Sequence, residues 1–196
     1  MSEHPGVRVG DDGRSRCAWV GADAEYERYH DEEWGTPLHG DRELFEKLSL
    51  EGFQAGLSWI TILRRRPAFR EVFHQFDIGR VAALTPADVE ALMLDARIIR
   101  NRAKIEATIG NARLALELTR GAPGALDALM WGFAPSARDR RPADFSEVPA
   151  FTPESTAMST ELRRLGFRFV GPTTLYALMQ SSGMVDDHVA GCHRAR

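Results

Sequence analysis

Four side chains able to hold a divalent metal stand near the two ends of the chain: Cys17 and His30 near the start, His188 and Cys192 in DDHVAGC near the end. His188 and Cys192 are four residues apart, the separation that puts two side chains on one face of a helix. Together the four would make a tetrahedral Cys2His2 site. Such a set leaves no open position for water, so the site would be structural, fastening a polar N-terminal segment to the C-terminus. His193 is an alternative fourth ligand, less well placed because adjacent residues point apart. Two unrelated buried thiols and two ordinary histidines are the competing explanation, since this spacing is not a motif that stands alone.

A second candidate lies in LEGFQAGLSW, Leu50–Trp59, where Glu51 sits among small and apolar residues with no adjacent partner cation. An unpaired buried carboxylate is costly, so Glu51 either faces water or has a task. On an unbroken helix Leu44, Leu48, Glu51, Ala55 and Ile62 would fall within about 40° of one direction. A break at Gly52 or Gly56 would instead leave Glu51 at a helix end. In both cases it points inward or into a cleft. Of the four Trp and three Tyr, five lie in the first 59 positions: Trp19, Tyr26, Tyr29, Trp34 and Trp59. Such residues usually build a core. Their polar tips, with Glu51, also suit a pocket for a flat, polar or cationic ligand.

The elements that must position these groups are helical almost throughout, and the fold class is all-α. Asp23 caps a helix carrying Tyr26, Tyr29 and His30, and Asp41 caps one carrying Leu44, Phe45 and Leu48. Pro67 suits the first turn of a helix running toward Phe73, and Asp77 caps Ile78–Leu84. Thr85–Asp88 opens a further helix as a capping signature. A long helix begins near Ile98 and ends before Gly121. Ala125–Phe133, Glu154–Leu165 and Pro172–Ser182 complete the set, the last stopped by Gly183. Phe167–Val170 has the alternation of a short strand without an evident mate. The Pro-rich segment 134–153 is the one long irregular stretch.

The 196 residues carry 43% hydrophobic and 27% charged residues, ordinary for a soluble globular chain. No apolar run approaches the ~20 residues needed to cross a bilayer. Residues 1–15 are polar and turn-forming, a flexible tail on a cytoplasmic protein, and 16–196 form one domain. The net charge of −3 does not announce nucleic acid. Arg64, Arg65, Arg66 and Arg70 nevertheless cluster, as do Arg97, Arg100, Arg102, Lys104 and Arg113. The second cluster is a candidate for phosphate contact, against a general bias: of 25 basic residues only Lys47 and Lys104 are Lys.

RCAWV, YHDEEWG, LEGFQAGLSWITIL, DARIIRNRAKIEATIGNAR and DDHVAGC occur in the same order as in the 3-methyladenine DNA glycosylase I family, which the chain resembles from Arg16 to Cys192. The resemblance implies a two-lobed, all-α fold of the helix-hairpin-helix glycosylase type. The hairpin motif would span about 86–119, with 94–99 at its centre. It departs from the Gly-rich consensus, as its relatives do, and would hold DNA phosphate through backbone N–H groups. The resemblance also implies structural Zn2+ on Cys17, His30, His188 and Cys192. A base pocket would contain Glu51, Tyr29 and Trp59, with Tyr26 and Trp19 beside them. It carries neither the catalytic Asp of most such glycosylases nor a Lys placed as a Schiff-base nucleophile. The implied activity is monofunctional, hydrolytic excision of 3-methyladenine from double-stranded DNA containing alkylated purines, by a monomer. A glycosylase of shifted base preference and a zinc-stabilised, non-catalytic DNA-binding module are the alternatives. A zinc hydrolase of small molecules is disfavoured by the closed ligand set.

Overall fold

The computed structural model describes residues 6–136 and 140–195, which contain nine α-helices and one small antiparallel sheet. None of these helices is long and apolar enough to cross a membrane. The capping signals act where expected at three sites. The Asp23 carboxylate accepts from the Glu25 and Tyr26 amides to open α1, Ala24–Glu32. Asp77 opens α4, Ile78–Ala82, and Thr85 with Asp88 forms a complete capping box on α5, Pro86–Leu94. Asp41 behaves otherwise. It is the first residue of α2, Asp41–Gln54, and its carboxylate accepts from the amides of Gly124, Leu126 and Asp127. It thereby caps α7, Ala125–Trp131, across the fold.

The possible break after Glu51 falls just beyond it. Gly56 takes φ +82°, turning the chain between α2 and α3, Trp59–Val72. Pro67 lies inside α3 rather than in a first turn, tolerated without ending the helix. The long helix α6, Arg102–Thr119, starts four residues after Ile98. Asn101 caps it, so Ile98 and Ile99 belong to the turn from α5. From α3, the Arg65 guanidinium donates to the carbonyls of Ala96 and Ile98 and fixes that turn.

The remaining helices are α8, Pro153–Arg164, and α9, Pro172–Ser181. Helix α2 is the common neighbour, packing against α3, α6, α7 and α9, while α4 and α5 cover α6 and α8 covers α9. Its buried face, Leu44, Phe45, Leu48 and Phe53, explains why its last turn cannot reach solvent.

Two expectations fail. Phe167–Val170 is not a strand; Phe169 takes φ +57° and breaks any pleat. The part of the expected tail that is described is an ordered hairpin, β1 Val7–Val9 with β2 Ser15–Cys17, pairing Val7 with Cys17. The signal was electrostatic. Buried Arg16 donates to Asp12 at 2.7 and 2.9 Å and to Asp31 at 2.7 Å, locking the hairpin to α1. Within segment 134–153, residues 134–136 and 140–152 are irregular apart from one 3-10 turn, Phe145–Glu147; residues 137–139, part of the expected loop and of its Arg138–Arg141 tip, lie outside the described residues.

Candidate base pocket and thiol–imidazole cluster

Glu51 closes the last turn of α2 and is 4% exposed. Tyr29 of α1 and Trp59, at the start of α3, meet beside it with ring centroids 5.6 Å apart. Trp19, Tyr26 and Trp34 continue the wall; the Trp19 ring stands edge-on to Tyr26 at 5.3 Å and to Trp34 at 5.1 Å. All five expected pocket residues therefore line one cavity of about 240 Å³, closed further by Gln54, Phe145, Gln180 and Ser181. The Tyr26 hydroxyl accepts from the Ile60 amide, which ties the first turn of α3 to this wall. The indole N–H groups of Trp19 and Trp59 are buried without a hydrogen-bond partner. Buried donors without a partner are costly.

Burial pushes the Glu51 carboxyl up to about 7, against the opposing pull of Lys47 and of a 2.9 Å hydrogen bond from the Ser181 hydroxyl. Burial, then the Glu51 and Glu33 charges, raises the Tyr29 phenol well above its ordinary range, so it stays neutral. Among the described residues Glu51 has no ion-pair partner within 4.0 Å, as expected, but sequence reasoning missed a cation nearby. Lys47, one helical turn back and 7% exposed, holds its ammonium 5.3 Å from the ring centroids of both Tyr29 and Trp59. An i, i+4 separation was the available signal.

Cys17, His30 and Cys192 converge, with one ligand atom of each within 4.8 Å of the others. His188 is adjacent but is not in this tight set; its ring centroid is 5.0 Å from that of His30. The reason is local. Residues 188–192 form an irregular turn with Gly191 at φ +87°, so the one-face argument for a helix does not apply. His193 turns away, its Nδ1 3.0 Å from the Ser15 carbonyl. In the cluster, Asp31 sits 2.8 Å from His30 Nδ1 and Asp186 sits 2.7 Å from His188 Nδ1. His30 Nε2 then faces Cys192 Sγ at 3.4 Å, and His188 Nε2 is buried with no partner. The proximity of the two sulfurs lowers Cys192, with help from His30, and raises Cys17, with help from burial. Both cysteines are free. Two buried cysteines beside two carboxylate-oriented imidazoles are a donor set suited to zinc.

Trp34, which sequence reasoning left as one more aromatic, packs edge-on to His188 at 4.6 Å while lining the pocket. Cluster and pocket thus share a wall.

Of the nine residues in the two basic clusters, five meet acids. Arg64 pairs with Asp23, Arg66 with Glu33 and Arg70 with Glu46. Arg97 pairs with Asp95 and Glu71, Arg102 with Glu90, and Arg113 donates to the Ala82 and Leu84 carbonyls. Lys104 donates to the carbonyls of Phe53 and Ala55 at 2.9 and 2.6 Å, capping α2 beside the pocket.

The methyladenine glycosylase family model matches residues 19–195. DNA-3-methyladenine glycosylase 1 of Escherichia coli (strain K12) is 47% identical over 178 residues, covering 90% of this chain and 95% of that protein. The DNA-3-methyladenine glycosylase of Haemophilus influenzae is 45% identical over 181 residues, covering 91% and 96%. Among solved structures, a 3-methyladenine DNA glycosylase I superposes with TM-score 0.88 at 44% identity, covering 92% of this chain and all of that one. The Staphylococcus aureus enzyme, described with the structural basis of its 3-methyladenine recognition, gives 0.84 at 32%, covering 91% and 95%. On this agreement of family model, curated relatives and backbone, the chain belongs to the methyladenine glycosylase family.

Proposed function

We propose that this protein excises 3-methyladenine from alkylated DNA by hydrolysis of the N-glycosidic bond, leaving an abasic site without cutting the strand. The observation that carries the reading is the cavity itself: a buried carboxylate, Glu51, among tilted and edge-on aromatic walls that include two indoles with unsatisfied N–H groups. A base inside a duplex is shielded, so the target nucleotide must be flipped out to reach this cavity. Methylation at N3 makes the base cationic, so it departs neutral and needs little acid assistance. Tyr29 and Trp59 stack on the flipped cation, a contact worth about 2 kcal/mol when desolvated. Glu51, ionised, accepts hydrogen bonds from the adenine edge and complements its charge, while Tyr26 and Trp19 complete the enclosure. An unmodified adenine brings no cation to the site.

The segment 86–119, α5 with its turn and α6, is read as the helix-hairpin-helix of a two-lobed glycosylase. With the neighbouring Arg97 and Arg102 already ion-paired, backbone N–H groups of the 95–101 turn and the α6 N-terminus carry the phosphate contact. This suits a chain of net charge −3. Lys104 is committed to carbonyls and takes no covalent part, in keeping with a monofunctional reaction.

Cys17, His30, His188 and Cys192 hold structural Zn2+ in this reading, for which the orphaned His188 Nε2 is the supporting observation. When bound, the ion supplies a cross-link between the β2–α1 segment and the C-terminal turn, and no chemistry on the base. The enzyme is read as a cytoplasmic monomer forming one domain over 16–196, in line with its free thiols.

The test is base release from methylated duplex DNA, wild type beside Glu51→Gln. Release of 3-methyladenine by the wild type and its collapse in the variant support the proposal. A protein that binds abasic DNA but releases no base would overturn it in favour of a non-catalytic module.

A further inference from the structure

Lys47 is the buried charge that the proposed mechanism leaves unused. It is 7% exposed, and among the described residues its ammonium forms no hydrogen bond and no ion pair within 4.0 Å. A buried ammonium without a close partner is costly, and Met or Leu would fill this position on α2 more cheaply. The side chain lies behind the base pocket rather than in it. It lines a second cavity, with Arg66, Glu33 and Glu46, that shares only Ser181 with the cavity containing Glu51. From there the ammonium faces the backs of Tyr29 and Trp59, one helical turn from Glu51.

We propose that Lys47 is a positioning residue for the excision reaction: its ammonium, one helical turn along α2, favours the ionised form of Glu51 in the empty pocket, so that more of the carboxylate is formed before the cationic base arrives. This rests on the reading of Glu51 as acceptor for the lesion.

The other charges around the pair do not replace it. Glu33, after α1, and Arg66, on α3, are bound to each other by two hydrogen bonds and act on Lys47 with opposite signs. Glu46, on α2, is bound to Arg70. Tyr29 stays neutral, and α9 contributes the Ser181 hydroxyl, which stabilises carboxylate without supplying charge. Burial raises Glu51 and lowers Lys47, and the charge of each opposes the shift in the other. Because Lys47 stays behind the aromatic walls, it does not occupy the site of the incoming cation.

The experiment is a carbon-13 titration of the Glu51 carboxyl in the free protein, assigned with Glu51→Gln, for wild type, Lys47→Met and Lys47→Arg. Removing the ammonium is expected to raise the midpoint by about one pH unit in Lys47→Met, with Lys47→Arg holding it near wild type. Base release should follow. The ratio of Lys47→Met to wild-type kcat/KM falls about tenfold between about pH 8.5 and about pH 6, because the protonated carboxyl cannot complement the lesion. An unmoved midpoint overturns the proposal whatever the activity does, and so does a ratio that is constant across pH. If the midpoint moves while Glu51→Gln still releases base normally, Lys47 keeps its effect on the carboxyl and the assignment of Glu51 as acceptor is what fails. Lys47→Gln repeats the titration should Lys47→Met unfold.

Discussion

The base pocket and the thiol–imidazole cluster stand on two sides of Trp34, and both leave buried polar atoms unsatisfied, yet they differ in how their groups are spread. In the cluster, ligand atoms of Cys17, His30 and Cys192 crowd within 4.8 Å of one another, a geometry that suits a point charge. In the pocket, Glu51 and two orphaned indoles are distributed around a cavity of about 240 Å³, which suits a flat molecule. Unsatisfied groups mark both sites; their dispersion indicates what kind of partner completes each. The cost is also met differently. A resident ion would satisfy the cluster permanently, whereas the pocket carries its cost until a substrate arrives.

The sharpest way to break this contrast is Glu51→Gln. It should lower base release by roughly 100-fold or more, the scale of losing a group that acts in the transition state. The same variant should be more stable than wild type above about pH 7, by on the order of 2 kcal/mol. The sign follows from a carboxyl whose folded value, about 7, lies above its ordinary 4.5: the folded state holds the proton more tightly, so stability is full below 4.5 and lost as pH rises through 7. Thermal unfolding across pH checks this, and a variant less stable at high pH would contradict it.

Next in size is the cluster. Cys192→Ala or His188→Ala should lower Tm by roughly 10 °C, corresponding to about 3 kcal/mol in a chain of this length. Protein that still folds should keep most of its base release. Metal analysis of purified wild type should find one zinc per chain, and its absence would remove the distinction between the sites.

Trp59→Ala should weaken capture of the lesion by about 2 kcal/mol, roughly 30-fold in kcat/KM, with little change in Tm beyond the loss of a wall. Trp34→Phe is the smallest and most diagnostic change. It should cost under about 1 kcal/mol in stability and only a few-fold in activity if the shared wall is simply packing. A large, simultaneous loss of zinc and activity would show that the two sites depend on each other.

Much of the site was legible because its residue types are expensive to misplace. Glu51 among apolar neighbours, and a His–Cys pair at each end, both stood out against ordinary burial. Lys47 was missed because its partner was sought next to Glu51 rather than one helical turn away, and Ser181 because a hydroxyl 130 residues distant leaves no local trace. The Asp41 carboxylate read correctly as a cap and incorrectly as to which helix, since α2 and α7 meet only in the folded chain. The ordered hairpin at 7–17 escaped for the same reason: Arg16 bridges Asp12 nearby and Asp31 on the next helix.

By itself, then, the sequence determined what is local or periodic: the helical class, three of the helix caps, the apolar face of α2 and the presence of an acid directed inward or into a cleft. These follow from backbone geometry and desolvation cost, which act over a few residues. Only the tertiary structure decided which charges meet. It paired Arg64, Arg66, Arg70, Arg97 and Arg102 with remote acids and set Lys47 behind the aromatic walls. It also drew Cys17 and Cys192 together through a hairpin and a non-helical turn. Electrostatic energy depends on separation in space and on how much water lies between, and neither is written in the order of the residues.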